Sequence, residues 1–139
     1  MKDPKRNLTI KKAFSSLAEI ELVYHYGSSL KNEQKTKDVD FGILLKKNVS
    51  SERRFEIYNI LAEKLSKIYK KDVDIAFLNQ SSPMLAYQVL QKGKLIYGEI
   101  TRAKQFTVET MTRYFDYLPL HQFFVRSLEK RLGGRPHGG

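Results

Sequence analysis

The sequence contains no cysteine, and only three histidines occur among its 139 residues. The lack of cysteine excludes disulfide bonds, thiolate metal sites and cysteine nucleophiles. His25, His121 and His137 do not have the spacing of zinc ligands, so no histidine zinc site is expected. Apolar runs reach only about five or six residues, whereas a membrane-spanning helix needs roughly 20. These absences direct attention to the acidic, basic and glycine residues.

The first residues also lack a targeting signal. Residues 1–6 carry charges with no apolar stretch behind them, which predicts that no signal peptide is present. We therefore expect a cytoplasmic protein that does not bind membranes. The length and the 41% apolar content predict one folded domain, residues 1–132, and a disordered tail, residues 133–139.

Acidic residues are few relative to basic ones. There are 25 lysines and arginines against 15 aspartates and glutamates, a formal net charge of +10. Such a surface attracts nucleic acid, nucleotide phosphates or an acidic partner, or it serves only solubility. Nucleic-acid-binding surfaces usually interleave basic and exposed aromatic side chains. The aromatic residues here mostly follow the periodicity of a buried core, so nucleic acid is not the expected partner.

Hydrophobic periodicity predicts alternating helices and strands. The predicted strands are 21–26, 39–45, 73–78 and 94–97, and the predicted helices are 9–19, 50–71, 84–91 and 101–132. Pro119 is expected to kink or split the last helix. This order predicts an α/β (α+β) fold, a small mixed sheet with helices on one or both faces. In the second helix the buried face is expected to contain Phe55, Tyr58, Leu61, Leu65 and Ile68.

One pair of aspartates lies at the start of the predicted strand 39–45, and a second pair lies at the start of the predicted strand 73–78. Asp38 and Asp40 are two residues apart on a strand, so their carboxylates share a face with Cα atoms roughly 6.6 Å apart. Such like charges repel unless a cation lies between them, and carboxylate oxygens suit Mg²⁺. Asp74 joins them if its strand is a neighbour; Asp72 is the alternative, as a helper or a solvated strand end. An Asp-x-Asp pair alone is most often only a solvated strand start.

A glycine and a serine end the strand that precedes the aspartates. A turn at Gly27-Ser28 lets backbone N–H groups and a hydroxyl reach phosphate oxygens. Gly-Ser alone is a weak signal. The combination of strand, Gly-Ser turn, loop, Asp-x-Asp strand, helix and acidic strand is a strong one.

This combination resembles the polymerase-β-type nucleotidyltransferase superfamily. From about residue 22 to 120 the chain is most similar to the minimal nucleotidyltransferases (MNT), especially the MntA-type adenylyltransferase antitoxins that are partnered with HEPN-domain toxins. The resemblance also includes Val73-Asp74-Ile75 with Leu78-Asn79, residues 93–97, and Tyr114-x-Asp116 followed by Pro119.

The resemblance implies a polymerase-beta-like nucleotidyltransferase fold and transfer of AMP from ATP to a hydroxyl, a tyrosine of a cognate HEPN toxin. It implies that Gly27 and Ser28 hold the triphosphate and that Asp38 and Asp40 bind two Mg²⁺ ions. Asp74 then completes the site at the acceptor end. The implied partners are ATP and the toxin.

The sequence departs from the family pattern outside the three aspartates. The spacer, residues 29–37, is slightly short, Asn32 replaces a usual glycine, and Phe77 stands where a further aspartate is common. Asn32 tolerates left-handed backbone, so the turn is expected to survive.

Several other polar residues border the predicted site. His25 is expected to be packed or exposed rather than catalytic. Tyr114 and Asp116 either contact nucleotide or dock the last helix, and docking is preferred. A solvated loop is likewise preferred over phosphate contacts for the loop lysines, Lys31, Lys35 and Lys37.

Two other functions compete with an adenylyltransferase antitoxin. One is a non-catalytic antitoxin that masks its toxin sterically; intact Asp38, Asp40 and Asp74 argue against it. The other is a nucleotidyltransferase acting on RNA or a small molecule. Larger relatives of that type carry an added acceptor domain, for which this chain leaves little space.

Overall fold

The computed structural model describes residues 4–27, 29 and 32–133. Four helices alternate with the strands in these residues: α1 (Pro4–Ser15), α2 (Ser51–Tyr69), α3 (Pro83–Lys92) and α4 (Ile100–Arg131). The strands are β1 (Ile20–Tyr26), β2 (Asp38–Leu45), β3 (Asp72–Phe77) and β4 (Lys94–Tyr97). A 3-10 turn, Glu33–Lys35, precedes β2. The α/β class is thus confirmed, although α1 begins at Pro4, a residue suited to a first helical turn, rather than at the expected residue 9.

The sheet is mixed, with the order β3-β2-β1-β4. β1 pairs antiparallel with β2 and with β4, whereas β2 and β3 run parallel. A parallel pair needs a crossover, and α2 supplies it. The carboxyl end of β1 therefore lies beside the amino ends of β2 and β3.

Helices cover both faces of this sheet. α1 and α2 pack on one face, where Phe14, Phe41 and Leu61 belong to one buried cluster. α3 and α4 pack on the other, where Val89 and Phe106 belong to a second cluster. Residues of β2 bury on both faces, as its nearly continuous apolar sequence predicted.

A serine caps α2, and the buried face of this helix is the expected one except at Phe55. The Ser50 hydroxyl accepts a hydrogen bond from the Arg53 amide, as expected of an N-cap residue. Phe55, which we expected in the core, is 69% exposed. The buried residues of α2 recur every four positions and are Ile57, Leu61, Leu65 and Tyr69.

α4 continues through Pro119 to Arg131, so the expected split is wrong. Thr110 is its last buried residue. Proline removes one backbone hydrogen bond, and in this exposed half water can satisfy the freed carbonyl. In the described ranges, no helix is both long enough and apolar enough to cross a bilayer, and this includes α4.

The aromatic residues are less buried than their spacing suggested. Four of the eight phenylalanines are exposed, so the periodicity argument against nucleic acid does not hold for them. Three lie on the outer half of α4: Phe115, Phe123 and Phe124.

Candidate active site

Gly27 forms a left-handed turn where β1 ends. Its φ is +83°, a value that strains any residue with a side chain. A β-carbon at this position would collide with Oδ2 of Asp40. Glycine is thus required both by the backbone angle and by the close approach of the carboxylate. Ser28, the other predicted triphosphate residue, lies outside the described residues.

The parallel pairing of β2 and β3 aligns the aspartates. Asp38 is the Cα partner of Asp72, and Asp40 is the Cα partner of Asp74. Because side chains alternate along a strand, all four belong to the sheet face that α3 and α4 cover further along. The condition that we placed on Asp74, that its strand be a neighbour, is therefore met.

The electrostatics distinguish Asp40 from the others. Burial raises the pKa of the Asp40 carboxyl, and the charges of Asp74 and then Asp38 raise it further. Asp72 does not contribute to this shift. Asp40 is half-buried, whereas Asp38 and Asp74 are exposed. Asp40 is therefore the carboxylate whose pKa is raised by the charges of the other two.

This acidic cluster forms no ion pair within the part of the chain that the structure describes. Among residues 4–27, 29 and 32–133, no lysine or arginine forms an ion pair with Asp38, Asp40 or Asp74. The donor set, carboxylate oxygens held against one another without a protein cation, fits a hard divalent ion. The same residues contain no group of three acidic or histidine side chains already converged as a metal cage. The arrangement is thus an open acidic edge.

Tyr26 was missed by the sequence reasoning. It is the Cα partner of Asp40 on β1, so it faces the same side of the sheet. Burial raises the pKa of its phenol, and the charges of Asp40 and Asp74 raise it further. The sequence could have indicated Tyr26 through its position directly before Gly27, in a strand whose side chains alternate between the two faces of the sheet.

His25 is packed in the core, as one of the two expectations stated. It is 9% exposed and its ring lies 5.3 Å from that of Phe41 and 6.4 Å from that of Tyr69, measured between centroids. Its Nε2 shares a 2.9 Å hydrogen bond with the hydroxyl of Ser29, which is 2% exposed. Ser29 was not among the predicted site residues.

The surroundings of His25 favour a neutral imidazole. Burial lowers its pKa, the Glu33 charge opposes that shift, and Arg6 and Lys94 add to it. Arg6 also binds Glu33 through two hydrogen bonds of 2.8 and 3.1 Å, which ties α1 to the 3-10 turn. The loop before β2 is therefore attached to the face opposite the acids.

The remaining predicted residues that the structure describes are exposed or pack between helices. Asn32 has an extended φ of −150°, so it does not replace glycine in a left-handed turn. Tyr114 stacks on Tyr87 of α3 with ring centroids 3.9 Å apart, in agreement with a docking role, and Asp116 is exposed. Lys35 and Lys37 are exposed. Lys31 lies outside the described residues.

A left-handed glycine turn beside aspartates on two parallel strands agrees with the nucleotidyltransferase site that the sequence resemblance implies. The sequence profile of the family "Polymerase beta, Nucleotidyltransferase" matches residues 9–101. The chain belongs to this family.

Similar proteins extend this assignment along the whole chain. Protein adenylyltransferase MntA of Shewanella oneidensis is 26% identical over 140 residues, covering 100% of this chain and 98% of the relative. A crystal structure of a toxin-antitoxin with AMP-PNP is 25% identical, with a TM-score of 0.73 over 88% of this chain and 97% of that chain. The MNT antitoxin in complex with the tri-AMPylated Shewanella oneidensis HEPN toxin shares the fold, at 24% identity and TM-score 0.70 over 89% and 96%.

Proposed function

We propose that this protein is a Mg²⁺-dependent adenylyltransferase that acts in the cytoplasm as the antitoxin of a HEPN toxin. The observation that carries the proposal is the acidic edge: Asp40 lies against Gly27 and opposite Asp74, and no lysine or arginine of the described residues forms an ion pair with it. The end-to-end similarity to a protein adenylyltransferase supports the reaction class. The similarity to a toxin-antitoxin bound to an ATP analogue supports ATP and a protein partner. Residues 1–132 then form one catalytic domain.

The proposed roles follow the positions of the side chains. Asp38, Asp40 and Asp74 are the residues that would hold Mg²⁺. The family resemblance implies two ions. Bound there, the metal would neutralise phosphate charge and polarise the acceptor hydroxyl. Gly27 leaves the space through which backbone N–H groups approach the triphosphate, and Ser28 would add its hydroxyl. The acceptor oxygen bonds to the α-phosphorus of ATP, and pyrophosphate leaves.

The acceptor would be brought by the toxin itself. The outer half of α4 exposes an apolar stripe in which Leu120, Phe124 and Leu128 recur every four residues. An exposed apolar patch of this kind indicates a protein contact. A tyrosine phenol suits the chemistry, because its pKa near 10 is below that of an aliphatic alcohol.

Mass spectrometry of the partner tests the reaction. We expect the purified protein, ATP and Mg²⁺ to add AMP masses to tyrosine of the neighbouring gene's product, and Asp38→Asn to prevent the addition. Phe124→Ser should reduce modification while nucleotide binding persists. The exposed Phe55→Ser serves as the control, because Phe55 lies on α2.

Two other outcomes correspond to the competing functions. A partner that is bound and silenced but never modified indicates steric masking. Label that appears only on RNA indicates an RNA-directed nucleotidyltransferase. The basic net charge and the exposed phenylalanines are compatible with RNA binding.

A further inference from the structure

β1 presents two neighbouring side chains to opposite faces of the sheet. Tyr26 pairs with Asp40 on the acidic face, whereas His25 pairs with Phe41 on the face covered by α1 and α2. His25 therefore does not reach the acidic site directly. Its polar contact is instead with Ser29, two residues after Gly27.

This contact fixes the far end of the predicted triphosphate turn. At the near end, Gly27 is confined by the Asp40 carboxylate. At the far end, the Ser29 hydroxyl shares its 2.9 Å bond with His25 Nε2, and both residues are buried. The rings of Phe41 and Tyr69 pack near the imidazole, with centroids 5.3 and 6.4 Å away. Gly27 and Ser29 thus make their contacts with opposite faces of the sheet.

A buried hydroxyl that lost this partner would be free to rotate or to seek water. Ser29 would then sample more conformations, and ordering it on binding would cost affinity. The next described attachment along the chain is Glu33, bound by Arg6. The bond at Ser29 is therefore the described side-chain contact that lies nearest after Gly27.

We infer that His25 is a positioning residue for nucleotide binding, because its hydrogen bond fixes Ser29, two residues after the turn at Gly27 that would receive the triphosphate. The inference rests on the proposed function. It assigns His25 no contact with ATP and no proton transfer. Its effect is on the affinity for ATP rather than on the rate of the transfer step.

Calorimetric titration with ATP and Mg²⁺ tests this role in three variants. His25→Phe keeps the aromatic packing but removes the hydrogen bond, and should raise the Kd about three- to tenfold, the range of one lost hydrogen bond. His25→Gln places an amide near the position of Nε2 and should bind within about twofold of the wild type. Thermal stability should follow the opposite order, because Phe fills the aromatic site better than Gln.

Ser29→Ala and the double variant complete the cycle. Ser29→Ala should match His25→Phe, and the double variant should be no weaker, because both changes remove the same bond. His121→Phe is the matched control, since it breaks a 2.9 Å histidine–hydroxyl contact with Tyr117 on α4. It should leave the Kd unchanged.

The results separate the inference from the proposed function. Wild-type affinity in His25→Phe, or equal weakening in His25→Phe and His25→Gln, would overturn the positioning role. If His25→Phe does not fold, the comparison of Ser29→Ala with the wild type decides instead. Failure of the wild type itself to bind any nucleoside triphosphate would reject the proposed nucleotide site.

Discussion

Replacement of Asp40 by asparagine should abolish AMP transfer and yet stabilise the protein without metal. Asparagine keeps the shape of the side chain and removes its charge. The pKa of Asp40 is raised by burial and by Asp74 and Asp38, so its carboxylate opposes folding when ionised. The same repulsion is what a bound cation would relieve. Loss of function and gain of stability therefore have one physical origin.

The magnitude follows from the strand geometry. Adjacent strands lie about 4.8 Å apart, and two unit charges about 5 Å apart repel by about 0.8 kcal/mol in water. A second charge about 6.6 Å along the strand adds about 0.6 kcal/mol. Salt and solvent reduce the sum for groups this exposed, so we expect a gain of about 0.5–1 kcal/mol. That corresponds to a rise in Tm of roughly 1–4 °C for a chain of this size.

The gain should depend on pH in one direction. Because the folded pKa lies above the ordinary value of 3.8, the unfolded chain releases this proton first as pH rises. The cost of ionisation therefore appears above pH 3.8 and is complete once pH exceeds the folded pKa. Asp40→Asn should be more stable than the wild type at pH 7 and should lose that advantage towards pH 3.

Calorimetric unfolding at several pH values, with and without Mg²⁺, measures this effect. Asp116→Asn is the control, because Asp116 is exposed on α4 and should alter neither stability nor transfer. Mg²⁺ should raise the Tm of the wild type and not that of Asp40→Asn. The reasoning fails if Asp40→Asn still transfers AMP, or if it lowers the Tm equally at every pH.

Three further predictions concern the rest of the site and its support. Gly27→Val should weaken ATP–Mg²⁺ binding at least tenfold in calorimetry, because its side chain meets both a φ of +83° and the Asp40 carboxylate; unchanged affinity would contradict this. Since burial lowers the pKa of His25, the free energy of unfolding should fall as pH drops below 6.5, and His25→Gln should show a flatter profile in denaturant titrations. Asn79→Ala should cost about 2 kcal/mol by the same assay, because its amide bonds both the N–H and the carbonyl of Leu45, each at 2.8 Å.

The sequence predicted most elements because their signals are local. The predicted strand 94–97 matches the structure, since the alternation of a strand depends on neighbouring residues. The exposure of Phe55 was not predictable in the same way, because its position fits the helical period and only the orientation of α2 on the sheet decides which residues are covered. The continuity of α4 at Pro119 likewise depended on its surroundings, where solvent tolerates a missing hydrogen bond.

For the candidate site, too, local features were predictable from the sequence, whereas contacts between distant segments were not. The sequence by itself determined the turn at Gly27 and the shared face of Asp38 and Asp40, because a strand places alternate residues on one face whatever it packs against. Only the tertiary structure decided that β3 lies parallel to β2, so that Asp74 is opposite Asp40. It also decided that Ser29 turns inward to His25, on the face away from the acids. Both are contacts between segments that the chain brings together only on folding, and neither leaves a local pattern in the sequence.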